Sequence, residues 1–123
     1  AVVEATAGGL VASSLQSVPG ASRWYLGAVA PYSAKAINAT IPTDAIQASG
    51  VMDRGNYSSR ETYVESKQLF VQEVSRAMRE HFHATWCIAE SGTCGPEFYV
   101  PGVTGGFTAV AVAGPDGFFK SAL

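Results

Sequence analysis

The sequence is poor in charge, with 8 Lys or Arg and 10 Asp or Glu side chains among 123 residues and a net charge of −2. Proteins that bind nucleic acid concentrate Lys and Arg on one surface, so this balance argues against a nucleic-acid partner. The chain also lacks any apolar run near the roughly 18–20 residues that cross a bilayer, and we expect no transmembrane segment. Its first residue is Ala1 rather than Met. That start is typical of a processed chain. We expect an intracellular protein, either cytoplasmic or organellar after removal of a targeting segment.

Cysteine is scarce as well, because Cys87 and Cys94 are the two in the chain. A disulfide framework needs more cysteines at this length, and a zinc site needs two further ligands that are not nearby. We therefore predict two reduced thiols, one in a strand and one in a loop. His81 and His83 follow a long helical segment, where a solvated helix end is the expected environment. The sequence predicts neither a metal nor a cofactor.

Apolar residues are plentiful, at 47% of the chain, which suits one core in a single domain of residues 1–123. Helical spacing alternates along the chain with short apolar runs that are typical of strands. The predicted elements are a helix at 9–17, a strand buried on both faces at 24–32, a helix from Ser58 or Ser59 to His81, strands at 84–89 and 107–113, and a turn at 114–117. The charged residues of the long helix, Lys67 among them, are predicted to form its solvated face. This order favours a layered α/β domain, partly parallel with an antiparallel edge.

Two glycine-rich turns follow predicted strands, and both are candidates for ligand binding. Thr6-Ala7-Gly8-Gly9 leads from a strand into a helix, where backbone N–H groups can hold an anion. Ser91-Gly92-Thr93-Cys94-Gly95-Pro96 follows a second strand, at the end where ligands of α/β proteins tend to bind. Packing of a strand against a helix also requires glycine, so the spacing alone does not decide between the two roles. Together the turns predict opposite walls of one small cleft, and Glu4 is expected to brace the first.

Several segments resemble motifs of the CinA C-terminal domain family, the nicotinamide-nucleotide amidases of bacteria. Family members show T-A-E-S-C-T-G-G-L, S-V-P-G-x-S, L-G-G-V-x-x-Y-S-N-E-A-K, T-G-I-A-G-P and P-V-G-T-V in this order. The corresponding segments here are Val2–Leu10, Ser17–Ser22, Leu26–Ser33, Ser91–Pro96 and, more loosely, Pro101–Thr108. The resemblance implies an α/β layered sandwich with a mainly parallel sheet flanked by helices. It also implies amidase activity on a nicotinamide nucleotide, unless the catalytic residues have been lost.

The resemblance fails at the two residues that carry the family's chemistry. Family members use the serine of E-S-C-T-G-G as nucleophile and the lysine of Y-S-N-E-A-K as its base, and the matching positions here are Ala5 and Ile37. Neither side chain can act in this way. Lys35 lies two residues away, a turn of about 200° around a helix, so we do not expect it to replace the base. A relocated nucleophile at Thr6, Ser33, Ser91 or Cys94 would lack a paired base.

Ligand binding without reaction remains compatible with the motifs. The residues that match the family's ligand-binding segments are Thr6, Gly8, Gly9, Tyr32, Ser33, Ser91, Gly92 and Gly95. Phe98 and Tyr99 replace a polar loop of the family, and are expected to narrow the cleft or to contact a partner. The family also has elements before the first and after the last matching segment, so we expect a domain that is shortened at both ends, with apolar surface left bare.

Three functions follow from these observations. The first choice is a catalytically degenerate domain, not an enzyme, that serves as a structural or accessory subunit of a larger protein assembly or a homo-oligomer. The second is a nucleotide-binding module that does not react with its ligand. The third is a nicotinamide-nucleotide amidase, a C–N hydrolase, with altered chemistry.

Overall fold

The computed structural model describes residues 1–96 and 100–123, so the predictions for Phe98 and Tyr99 lie outside the described residues. The elements in that part of the chain are β1 (Val2–Glu4), α1 (Leu10–Gln16), β2 (Ala28–Val29), α2 (Ala34–Thr40), α3 (Thr43–Ser49), α4 (Arg60–His81), β3 (Cys87–Gly92), β4 (Thr108–Ala113) and β5 (Phe119–Ala122). The strands form one sheet in the order β2-β1-β3-β4-β5. The predicted α/β fold is confirmed.

The sheet is half parallel, and the prediction of a mainly parallel sheet needs correction. β1 pairs in parallel with both β2 and β3, whereas β4 runs antiparallel to β3 and to β5. Parallel neighbours need a crossover, and α4 supplies one before β3. The described residues between β3 and β4 contain no helix, so the chain turns back and pairs β4 antiparallel to β3. The turn predicted at 114–117 does join β4 to an antiparallel β5.

The long helix α4 covers one face of the sheet, and its prediction is confirmed. Ser59 caps it by accepting a hydrogen bond from the Thr62 backbone N–H at 3.3 Å. The apolar side of the helix, which includes Val71 and Val74, is buried in the core. It packs there with alternate residues of the strands, such as Ala109 and Ala111 of β4. Because alanine is small, β4 presents a flat surface that lets α4 pack closely. α3 packs beside α4 and contributes Ala45 and Ile46 to the same core.

The opposite face of the sheet is only partly covered, by α1 and the chain that follows it. Ile88, Val110 and Val112 alternate with the core residues of β3 and β4, and each is partly exposed. Trp86 meets the Phe118 ring at 5.1 Å between centroids beside this face. Apolar surface therefore lies open on the side away from α4.

Two predicted strands have different bounds in the structure. Only Ala28 and Val29 of the run at 24–32 form a strand, and Trp24 and Leu26 are 50% and 57% exposed rather than buried. β2 is an edge strand, and an apolar sequence cannot reveal that one side lacks a neighbour. The strand predicted at 84–89 begins at Cys87 and continues to Gly92.

The predicted state of the cysteines is confirmed. Cys87 is buried in β3, Cys94 is exposed in the loop after it, and both are free thiols. His81 and His83 are exposed at the end of α4. Within residues 1–96 and 100–123, no cluster of His, Cys, Asp and Glu is arranged to hold a metal ion. No helix of the same residues is long and apolar enough to span a bilayer.

Candidate functional site

Two buried carboxylates hold the turn that joins β1 to α1. Glu4 accepts hydrogen bonds from the Val11 and Ala12 backbone N–H groups, both at 3.0 Å, which confirms that it braces the turn. Glu90 Oε2 accepts from the N–H groups of Thr6 at 3.0 Å and Ala7 at 2.9 Å. Its other oxygen accepts a short hydrogen bond from the Thr108 hydroxyl. The turn is thus fixed by side chains from two adjacent strands.

These contacts change the chemistry available at the first glycine turn. Gly8 and Gly9 adopt positive φ angles of 62° and 105°, which turn the chain from β1 into α1. Four backbone N–H groups beside them, those of Thr6, Ala7, Val11 and Ala12, are already paired with Glu90 or Glu4. The turn therefore offers a phosphate few free donors.

The two glycine-rich turns meet at the carboxyl ends of β1 and β3. The Gly92 N–H donates to Thr6 Oγ1 at 2.6 Å, and the Cys94 thiol lies 3.4 Å from the Thr6 carbonyl oxygen. Beside this contact lies a cavity of about 540 Å³, here called the strand-end pocket. It is lined by residues 92–96 together with Thr6, Tyr32, Tyr57, Tyr63 and Lys67. Its position and size are those of a small-molecule site.

Half of the ligand-binding residues predicted from the sequence line this pocket. Thr6, Tyr32, Gly92 and Gly95 do so. Gly8 and Gly9 lie on the turn above α1 and are at least partly exposed.

Two predicted serines have other surroundings. The Ser33 hydroxyl caps α2, accepting a hydrogen bond from the Ala36 N–H at 3.2 Å. Ser91 is buried within β3, opposite Ala109 of β4.

Comparison with known proteins assigns the chain to a family. The CinA C-terminal domain matches residues 1–123. The chain belongs to this family. A CinA-like protein of Prochlorococcus marinus (strain MIT 9313) is 31% identical over 118 residues, which are 94% of this chain and 24% of that protein.

Solved CinA superfamily structures share the fold. A competence-damaged protein from Enterobacter cloacae superposes with a TM-score of 0.72 at 20% identity, over 98% of this chain and 64% of that one. The competence/damage inducible protein CihA from Agrobacterium tumefaciens gives 0.72 at 16% identity, over 98% and 66%. The chain thus spans about a quarter of the curated relative and about two thirds of these solved structures.

The two residues of this CinA domain that were predicted to match the family's serine and lysine are Ala5 and Ile37. Ala5 follows β1 directly, and its N–H donates to the Glu90 carbonyl at 3.1 Å. Ile37 lies on α2 and packs against the hydrophobic core. Lys35 is exposed on the same helix and does not line the strand-end pocket.

Sequence reasoning missed three pocket residues of the CinA domain, namely Tyr57, Tyr63 and Lys67. Lys67, predicted to be on the solvated face of α4, is instead half-buried, with Nζ 5.3 Å from the centre of the Tyr63 ring. Its spacing from Tyr63, Phe70 and Val74 places it on the buried stripe of the helix, a signal that was present in the sequence. Burial lowers the pKa of Lys67, an effect that nearby Glu90 opposes.

Tyr63 lies at the base of the strand-end pocket. Its hydroxyl is 3.5 Å from the Gly92 carbonyl oxygen, and its ring meets Tyr57 edge-on at 5.5 Å. Burial, with a smaller effect of Tyr57, raises the pKa of Tyr63. The phenol therefore stays protonated at neutral pH and is not a base.

A larger cavity, about 670 Å³, lies away from these strand ends. Trp24, Leu26, Trp86 and Ile88 line it, and it opens on the uncovered side of the sheet. Ser22, Arg23, His83 and Thr85 add polar groups to its lining.

Proposed function

We propose that this CinA domain is catalytically degenerate and acts as a structural or accessory subunit of a larger assembly. The observation that carries the proposal is the pair Ala5 and Ile37 at the family's nucleophile and base positions. Alanine has no group to attack a carbonyl carbon, and Ile37 is packed on the core, where no base is available. Loss of such groups in other serine hydrolases lowers turnover by about 10⁴–10⁶.

An exposed apolar surface supports the subunit role. Trp24, Leu26, Trp86 and Phe118, here called the apolar patch, are 50%, 57%, 46% and 42% exposed. Large side chains of this kind are costly in water when they adjoin one another, and they are typical of contacts between proteins. We propose that the apolar patch packs against another protein chain.

Isolation from the native source in mild salt tests the subunit role. We expect a particle heavier than the single chain, and we expect Leu26→Ser to release the chain from it. Leu69→Ser is the matched control, because Leu69 is also partly exposed but lies on α4, on the other side of the sheet. A folded native monomer, or equal release by both variants, would contradict the subunit role.

A second candidate function is ligand binding without reaction in the strand-end pocket. It is favoured by the cavity itself, which retains Thr6 and Tyr32 at family positions. A nicotinamide-nucleotide amidase is the remaining alternative, and it requires a hydroxyl such as that of Thr6 to replace the missing serine. The Thr6 oxygen already accepts a hydrogen bond from Gly92 N–H. That bond stabilises the resting hydroxyl and does not activate it.

A further inference from the structure

Lys67 brings a positive charge into the strand-end pocket from helix α4. Its Nζ lies over the Tyr63 ring, at 5.3 Å from the centroid. Within the described part of the chain, the one ion pair joins Arg76 to Glu73, so no carboxylate there pairs with Lys67. A partly buried cation without a bonded counter-ion favours binding of an anion beside it.

The surroundings of Lys67 favour a singly charged anion. Glu90 lies near enough to influence Lys67, and its own oxygens are held by Thr6, Ala7 and Thr108. This negative charge opposes a dianion in the same pocket. The N–H groups of Thr6 and Ala7, which could hold a phosphate at such a turn, are already paired with Glu90, whereas a carboxylate needs only one cation and a hydroxyl.

The remaining lining favours an aromatic ligand. The rings of Tyr32 and Tyr57, 79% and 39% exposed, line one cavity of about 540 Å³, and the buried Tyr63 lies at its base. Rings stack edge-on or offset against such side chains. Thr93 Oγ1 is buried and has no hydrogen-bond partner among the described residues. A buried hydroxyl without a partner is destabilising, and a ligand oxygen would supply the missing hydrogen bond.

We propose that the strand-end pocket binds a small aromatic compound with one carboxylate group, held by Lys67 and Thr93 and packed against the exposed faces of its lining. The inference rests on the second candidate function, ligand binding without reaction. It assigns to Lys67, a residue outside the family motifs found in this sequence, the role of counter-charge. No bond is made or broken in the ligand.

Calorimetric titration with three probes tests the inference on the full chain. Benzoate should bind, benzamide should bind about tenfold more weakly or not at all, and phenyl phosphate should bind no more tightly than benzoate. Lys67→Met should weaken benzoate binding about tenfold, a loss that corresponds to roughly 1.4 kcal/mol. Lys35→Met, which removes an exposed lysine outside the pocket, should bind benzoate as the wild type does. No benzoate binding, equal binding by Lys67→Met, or tighter binding of phenyl phosphate would overturn the inference.

A second readout needs no variant and covers the case in which Lys67→Met does not fold. Cys94 lines the same pocket, so benzoate should slow its alkylation in the wild-type chain, whereas benzamide at equal concentration should not. Equal rates with and without benzoate would overturn the inference. Neither measurement involves hydrolysis. A chain that does not bind benzoate could therefore still be catalytically degenerate. Turnover of a nucleotide would contradict catalytic degeneracy but would not change the result of the benzoate titration.

Discussion

Glu4 and Glu90 lie opposite each other on neighbouring parallel strands, and both carboxylates are almost fully buried. Glu90 accepts backbone hydrogen bonds from Thr6 and Ala7 in the turn after β1, and Glu4 accepts two from Val11 and Ala12 at the start of α1. Two like charges side by side are costly inside a protein unless donors surround them. Here the donors come from the turn and from the start of α1, so the shape of the strand-end pocket depends on this pair.

Removing the Glu90 carboxylate should destabilise the chain strongly. Glu90→Ala leaves the N–H groups of Thr6 and Ala7 and the hydroxyl of Thr108 without their acceptor. We expect the free energy of unfolding to fall by about 3 kcal/mol, measured by urea denaturation. Glu80→Ala, an exposed change on α4, is the control and should alter it by less than about 0.5 kcal/mol. Equal urea midpoints for the two variants would show that the buried acceptor is dispensable.

Gly92 is required by the packing of β3 against the chain that enters β4. A Cβ atom at this position would stand 2.0 Å from the Phe107 carbonyl oxygen and 2.6 Å from Thr108 Cα. Backbone atoms cannot move aside as a flexible side chain does, so Gly92→Ala should cost more than about 3 kcal/mol or prevent folding.

Gly8→Ala is the comparison for Gly92→Ala. Gly8 has a φ of 62° but no atom within 4 Å of the added carbon. The expected cost is that of the left-handed conformation alone, about 1–2 kcal/mol. Thermal denaturation of both variants checks the order, and a Gly8→Ala variant less stable than Gly92→Ala would contradict the close approach of the two strands.

The two cysteines should differ sharply in reactivity. Burial raises the pKa of the Cys87 thiol to about 11, although the nearby N-terminal ammonium group opposes this effect, whereas Cys94 is exposed. The thiolate is the reactive form, so iodoacetamide at pH 8 should modify Cys94 and spare Cys87. Mass spectrometry should find one adduct on the folded chain and two after denaturation. Two adducts on the folded chain at equal rates would contradict the burial of Cys87.

The sequence was a good guide wherever local periodicity is strong. Helix α4 has an N-cap at Ser59 and an apolar stripe that includes Val71 and Met78, and both features were visible before the fold was known. The turn at 114–117 was predicted equally well, because Gly and Pro residues there are typical of turns. The resemblance to CinA proteins also located Thr6 and Tyr32, which do line the pocket.

The rest depended on contacts between distant parts of the chain. Thr6 meets Gly92 across 86 positions, and nothing in the first turn indicates that the N–H groups of Thr6 and Ala7 donate to Glu90. Lys67 was assigned to solvent because a lysine on an amphipathic helix is usually exposed, although its helical phase is that of Tyr63 and Phe70. The run at 24–32 was apolar enough for a central strand, but its neighbours in the sheet are not encoded locally.

The measurement closest to the central claim is release of ammonia from nicotinamide mononucleotide by the purified wild-type chain. A CinA protein that keeps the family's serine and lysine serves as the positive control under the same conditions. With Ala5 and Ile37 at those positions, we expect no ammonia above the protein-free baseline, even at high protein concentration. Sustained release of more than one ammonia per chain, lost in Thr6→Val, would contradict catalytic degeneracy and identify a relocated nucleophile.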